Sequence, residues 1–512
     1  MGKKGKGRAP ARAPEPVVRD CDPDPAGEGV SPGTLVRDPG KAWETLRTQR
    51  LVQVLLGVVV AGFLLRFVNL GANSLWLDEA STLGFARRSL VEIWGTLSAG
   101  EFNPPLFYWM EHLMLTFGES EAVLRFVPAL LGALTVVVMY FVAREVLDRP
   151  SSLVAAALFA FSPFHIYYSQ EARAYAPMLF FFSLALLFFL RATRKGGYSN
   201  WIGFGVFSAL AFWTHFYAFV PVGILILLAF AFRFRAIRAN LTEAAAPLLA
   251  LGVFLILALP LVVNAVQLFL LRTGGGPSFG IQGFSTITLT LVQISGFNAF
   301  LAVILLILFI AGMAWLVPRD RALAVLLAAG LLLPLLASVF LSYRMPMVPR
   351  YLIYLQPFLF LGVAASFPLF CRAVRSRYLA VAAVLLIFLA AIPFLSTYYT
   401  TPQKDDWRGF SQYLSGQTSP GDLVVVIPGY VRQPLVYYYS NQTDGTLLYG
   451  LYTTADLEKV SASAGGHRIF YVLTPDINST DPAGNVVRWL EDHTRMDQAF
   501  RYGQGILLLR SG

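Results

Sequence analysis

The stretch NSLWLDEAST, Asn73 to Thr82, sets two adjacent carboxylates, Asp78 and Glu79, two residues behind a tryptophan and directly after a long apolar run. Carboxylates in such a place can serve as a general base or as metal ligands. Other ionisable residues stand at comparable points, at the ends of apolar runs: Arg66, Glu171, Arg173, His215, Arg344 and Arg350. Arginine suits a phosphate, which its planar fork of donors can grip at two oxygens. A base, several arginines and a lipid-facing cavity point to transfer of a group from a lipid-linked phosphate to a hydroxyl or amine. The base takes the acceptor proton, and the arginines hold the departing phosphate and stabilise its growing charge. Two adjacent carboxylates and a distant histidine form no ligand spacing, so neither a metal nor another cofactor is called for.

These residues depend on the apolar runs for their positions. The chain has 512 residues, 56% of them hydrophobic and 14% charged, with a mean hydropathy of +0.60. Runs of roughly 20 apolar residues read as membrane helices. About eleven are expected, near 51–70, 123–142, 152–168, 176–191, 200–214, 216–232, 244–271, 299–317, 322–343, 352–371 and 378–396. The net charge of +10 comes mostly from Lys and Arg in the N-terminal tail and in short loops. That is a topology signal rather than a nucleic-acid surface. With the basic tail ending at Arg50 in the cytoplasm, every basic cluster between runs falls on the same side. The loop 71–122, the Glu171–Tyr175 segment, His215, the Arg344–Tyr351 loop and the C-terminal region fall on the other. The expected location is the cell membrane, spanned many times.

A charge at the bilayer centre costs roughly 2.5–3.5 kcal/mol on insertion scales, so such groups usually mark function. Here the spans are nearly free of charge and the polar residues collect at their outer ends. Ion-coupled transporters put carboxylates and broken helices near the midplane, and that pattern is missing. A flippase or transporter of lipid-linked sugars without transferase activity is the alternative from another class.

Residues 1–50, rich in Gly, Pro and charge, are expected to be a disordered cytoplasmic tail. Residues 51–399 form the membrane domain. Residues 400–512 turn polar and carry DLVVVI, LVYYY, RIFYVL and GILLL as strand-like runs, with a helical NVVRWLEDH before the last. They read as a small extracytoplasmic α/β domain. Cys21 and Cys371 both fall on the side assigned to the cytoplasm, where a structural disulfide is not expected, and two cysteines so far apart give no metal-ligand pattern.

The motifs RFVNLGANSLWLDEA (Arg66 to Ala80), NPPLFYW (Asn103 to Trp109), YYSQEARAY (Tyr167 to Tyr175), WTHFYAF (Trp213 to Phe219), PRYLIYLQP (Pro349 to Pro357) and KDDWRGFSQYL (Lys404 to Leu414), taken in order, resemble the family 39 membrane glycosyltransferases. These are the relatives of the protein O-mannosyltransferases and the aminoarabinose transferases. The resemblance implies the GT-C fold and an inverting hexosyl- or pentosyltransferase, with mannosyl transfer among the candidates. It implies a polyprenyl-phosphate sugar as donor and a lipid, glycan or protein as acceptor at the outer face. It makes Asp78 the base with Glu79 beside it. Asn103, Glu171, Arg173, Tyr175, His215, Arg350 and Tyr351 become the substrate-binding set, with Arg173 and Arg350 on the phosphate. Where the O-mannosyltransferases carry His-Pro-Pro, this chain has Asn103 before Pro104 and Pro105. Asparagine can position a substrate but cannot shuttle a proton. Bland readings stand beside these: Arg66 snorkelling to the interface, His215 as a satisfied interfacial residue, and Asp405–Arg408 capping and packing the outer domain.

Overall fold

The computed structural model describes residues 49–96, 103–274, 276–277, 279–374, 385–386, 388–439, 447–501 and 503–511. The expected tail 1–50 thus lies almost wholly outside the described residues. Eight described helices are long and apolar enough to cross a membrane, nine if one bent pair counts as a single span. The expected run at 200–214 is the helix Tyr198–Thr214 of 17 residues. The run at 378–396 lies partly outside the described residues. With the bent pair taken as one span, these two runs separate nine from the eleven expected.

Burial sorts the spans. Pro349–Ala373 is almost wholly buried and runs through the centre, whereas Arg50–Phe67 is mostly exposed and faces lipid. Side chains from Phe159, Tyr175, Phe182, Trp201, Tyr354 and Phe358 fill one continuous core between spans. The bent pair, Arg149–Ala160 and Pro163–Ser169, turns by 53°. Ser162 causes the break by leaving the helix and capping its continuation, its Oγ accepting from the His165 N–H at 3.3 Å, with Pro163 preset for the first helical turn. After the second piece, residues 170–174 run without regular helix before Tyr175 opens the next span.

Arg66 is fully buried and does not snorkel. It donates to the carbonyls of Gly62, Phe159 and Ala160 at 2.8, 2.8 and 3.1 Å and lies 2.8 Å from His165 Nδ1. A buried guanidinium needs partners for its donors, and the broken helix supplies the Phe159 and Ala160 carbonyls for the two terminal nitrogens, while Nε is left without a hydrogen bond. Arg66 is therefore a tie between two spans.

The C-terminal part holds five strands, β1 (Leu423–Ile427), β2 (Leu447–Gly450), β3 (Ile469–Leu473), β4 (Thr494–Phe500) and β5 (Ile506–Ser511), in the order β2-β1-β3-β5-β4. β1 runs parallel to both neighbours, and β5 is antiparallel to β3 and β4. β1 and β3 are buried along their whole length, as continuous apolar strands covered on both faces must be. LVYYY, read from sequence as strand-like, is helical within Arg432–Tyr438. Leu435 buries in the core, as does Tyr439 just past the helix end, and a short apolar run does not by its pattern alone choose between strand and helix. Helices Trp407–Gln417 and Arg432–Tyr438 cover one face of the sheet, and Leu77, just ahead of Asp78, packs on that same core.

Candidate active site

The helix Leu77–Ala86 carries both carboxylates in its first turn, where the unpaired N–H groups and the helix dipole favour negative charge. Leu83 packs with Leu75, Leu124 and Ala172, and Tyr437 and Tyr438 of the C-terminal part close on the same cluster, while Leu77 packs on the C-terminal core. Asp78 therefore falls at the seam.

Glu79 has no exposed surface. Arg125 grips it with two parallel bonds, Nε to Oε1 at 2.8 Å and NH2 to Oε2 at 2.7 Å. The Ala172 N–H donates to Oε1 at 2.9 Å, and Lys404 Nζ lies 3.1 Å from Oε2. Burial alone would raise this carboxyl, but the charges of Arg125 and Lys404 and the hydrogen bonds outweigh it and bring it down to about 2. Arg125 spends its remaining donors on the carbonyls of Leu70, Asn73 and Ser74, at 3.0, 2.9 and 3.0 Å. One arginine thus fixes both the loop 70–74 and the acid beside Asp78.

Asp78 is the accessible acid, with 26% of its side chain exposed. Arg173 Nε and Arg350 NH2 stand 3.9 and 3.8 Å from its Oδ2. Arg173 is aimed by bonds to the Asp78 carbonyl and to Thr82 Oγ1, both 3.3 Å. Arg350 lies within about 6 Å of three rings, Trp76, Tyr175 and Tyr351, which shield and orient a cation without neutralising it. Tyr351 stacks on Tyr217 at 4.8 Å, and His215 sits against Tyr175 at 5.5 Å and Tyr351 at 5.8 Å.

His215 is buried, and its Nδ1 accepts from the Tyr217 N–H at 3.2 Å, capping a short turn. Burial first, then the nearby Arg173 and Arg350, lower its imidazole to about 3. It is neutral at pH 7 and adds no charge for a phosphate. Asn103 donates to Tyr108 Oη at 3.3 Å, and Tyr108 in turn packs on Phe85 of the carboxylate helix at 5.0 Å. Glu171 is buried 3.5 Å from Lys404, and its Oε2 lacks a hydrogen bond. Burial is the main cause that raises its carboxyl. Arg344 is exposed at the surface. Asp406 caps the helix Trp407–Gln417 through the Gly409 N–H at 3.0 Å, and Trp407 is fully buried in the domain core.

Three further residues belong to the site and escape the sequence reading. Arg125 stands just before the span Phe126–Arg144. It is an arginine entering an apolar run, which is the same signal that singled out Arg350. Lys404 lies within reach of Glu79 and Glu171 and 5.8 Å from the Trp76 ring. No spacing in the sequence announces a contact across more than 300 residues. Glu111 is fully buried with neither oxygen hydrogen-bonded, and burial followed by the charge of Glu79 pushes its carboxyl well up. Among the described residues no group of three or more His, Cys, Asp or Glu is arranged to hold a metal ion.

A helical membrane body with a small sheet domain packed on it has the GT-C fold. The sequence model of the family described as dolichyl-phosphate-mannose-protein mannosyltransferase matches residues 103–263. Among solved structures, ArnT from Cupriavidus metallidurans covers 92% of this chain and 98% of its own length, with a TM-score of 0.55 at 13% identity. The Archaeoglobus fulgidus oligosaccharyltransferase covers 90% of this chain and 74% of its own, with a TM-score of 0.54 at 13% identity. At these identities the likeness is one of fold. An uncharacterized protein of Aquifex aeolicus is 29% identical over 179 residues, 32% of this chain, and this chain spans 34% of that relative's length.

Proposed function

We propose that the chain transfers a sugar from a polyprenyl-phosphate donor to an acceptor at the outer face of the membrane, inverting the anomeric centre. The observation that carries this reading is Asp78, a partly exposed carboxylate with Arg173 and Arg350 both within 4 Å of one oxygen. ArnT has been solved bound to undecaprenyl phosphate, and the Archaeoglobus enzyme with a dolichol-phosphate. A lipid-linked phosphate is thus a ligand that the shared fold accommodates.

The acceptor hydroxyl gives its proton to Asp78 as its oxygen bonds to the anomeric carbon. The bond from that carbon to the phosphate oxygen breaks, and its electron pair leaves with the phosphate. Arg173 and Arg350 meet the charge that develops there, in a site where Trp76, Tyr175 and Tyr351 exclude water. Glu79 holds Asp78 in place through Arg125 and transfers no proton itself. Glu171 keeps Lys404 near the site. Tyr175, His215, Tyr351 and Asn103 shape the sugar-facing wall. Attack from the face opposite the phosphate gives inversion.

The test is release of label from a panel of radiolabelled polyprenyl-phosphate sugars by purified protein in lipid, wild type beside Asp78→Asn. Turnover of one donor that falls about 10²–10⁴-fold in the variant is expected of a lost general base. Equal turnover in both proteins removes Asp78 as the base.

A further inference from the structure

The carboxylate helix sorts its neighbours by direction. At 3.6 residues per turn, the residue four places on lies roughly 40° to one side of Asp78 and the residue three places on roughly 60° to the other. On the first side stands Thr82, whose Oγ1 accepts from Arg173 at 3.3 Å. On the second stands Ser81, whose single Oγ–H lies between two acceptors, the Leu77 carbonyl at 2.8 Å and Oε1 of Gln433 in the C-terminal domain. The two flanks differ in charge. One presents the guanidinium that faces the phosphate, and the other presents an alcohol and a neutral amide.

The C-terminal domain is fastened at this edge. Tyr438 Oη accepts from the Leu75 N–H at 2.8 Å and donates to Glu121 Oε1 at 2.6 Å, where Arg408 also binds at 2.5 Å. Tyr437 Oη donates to the Glu119 carbonyl at 2.7 Å. These bonds hold the Gln433 helix against the seam at which Asp78 opens. Gln433 itself is exposed, unlike the buried Pro434 and Leu435 beside it. Packing does not explain its side chain, and its hydrogen bond to Ser81 is one that an entering hydroxyl can replace.

We propose that Ser81 and Gln433 form the acceptor edge of the site and receive a neutral, hydroxyl-bearing acceptor. The C-terminal domain then supplies a specificity residue as well as packing. This rests on the reading of Asp78 as base and goes beyond it by assigning the two flanks, phosphate at Thr82 and acceptor at Ser81. A neutral polyol can exchange hydrogen bonds with an alcohol and an amide. A charged acceptor would find no counter-ion in that pair.

The experiment uses the full chain in lipid nanodiscs, the donor that the wild type turns over, and methyl glucoside as acceptor probe. The expected result for Gln433→Ala is a KM for methyl glucoside about tenfold higher, the value of one neutral hydrogen bond, with the KM for donor within twofold. Gln433→Glu keeps an acceptor for Ser81 but removes the amide N–H, so the ratio of sugar transfer to hydrolysis should fall there as well. An unchanged ratio in both variants, or a parallel rise of both KM values, overturns the acceptor edge while the transferase reading stands. No donor turnover by the wild type overturns that underlying reading and this one with it.

Discussion

Replacing Glu79 by glutamine tests whether the buried acid anchors the helix that carries Asp78. The side chain keeps its size and loses its charge. In the folded protein this carboxyl is held at about 2 against its ordinary 4.5. At roughly 1.4 kcal/mol per unit, its ionised form contributes about 3 kcal/mol to holding segment 70–82 in place. The sign follows from the depressed value. The contribution is complete above about pH 4.5 and is lost as the pH falls toward 2. Glutamine can accept one bond from Arg125 but leaves that guanidinium facing an N–H group, so most of the 3 kcal/mol should go. Hydrogen exchange measures such local opening directly. At pH 7, after correction for intrinsic rates, the amides of Leu75–Leu83 should exchange on the order of a hundredfold faster in Glu79→Gln. Wild-type protection should fall by a similar factor between pH 5 and pH 2, and the variant should show no such fall. A change under threefold in both tests would refute the idea that Arg125 and Glu79 carry this anchor.

Arg350→Lys should raise the KM for donor by about tenfold, because an ammonium loses both the planar fork and its contact with the rings of Trp76, Tyr175 and Tyr351; steady-state kinetics across donor concentration reads it. His215→Asn should leave the shape of the activity profile between pH 5 and 8 unchanged, since the native imidazole, lowered to about 3, stays neutral throughout that window. An inflection near pH 6.5 in the wild type that disappears in the variant would contradict that placement.

Several parts of this protein were legible because they depend on short-range pattern. The apolar runs, the loop that carries Asp78 and the fully buried strands β1 and β3 each announce themselves over a few to twenty residues, and the structure contains them as helices and strands. So does the concentration of charge at the ends of spans, which singled out Asp78, Arg173 and Arg350, and the structure brings those three together. The pattern failed where two conformations share it, as in LVYYY, whose first four residues lie in the helix Arg432–Tyr438 with Leu435 buried in the core.

Other features were decided by tertiary contact alone. The adjacent acids Asp78 and Glu79 look equivalent in sequence. Successive helix residues point about 100° apart, so one enters the grip of Arg125, Lys404 and the Ala172 N–H and the other stays open at the seam. The partners of Glu79 lie 46, 93 and 325 positions along the chain, and no local pattern links positions so far apart. The sequence thus determined which residues stand at the site-bearing ends of the spans. The packing of helix against helix, and of the sheet domain against both, determined which acid is accessible and which is buried.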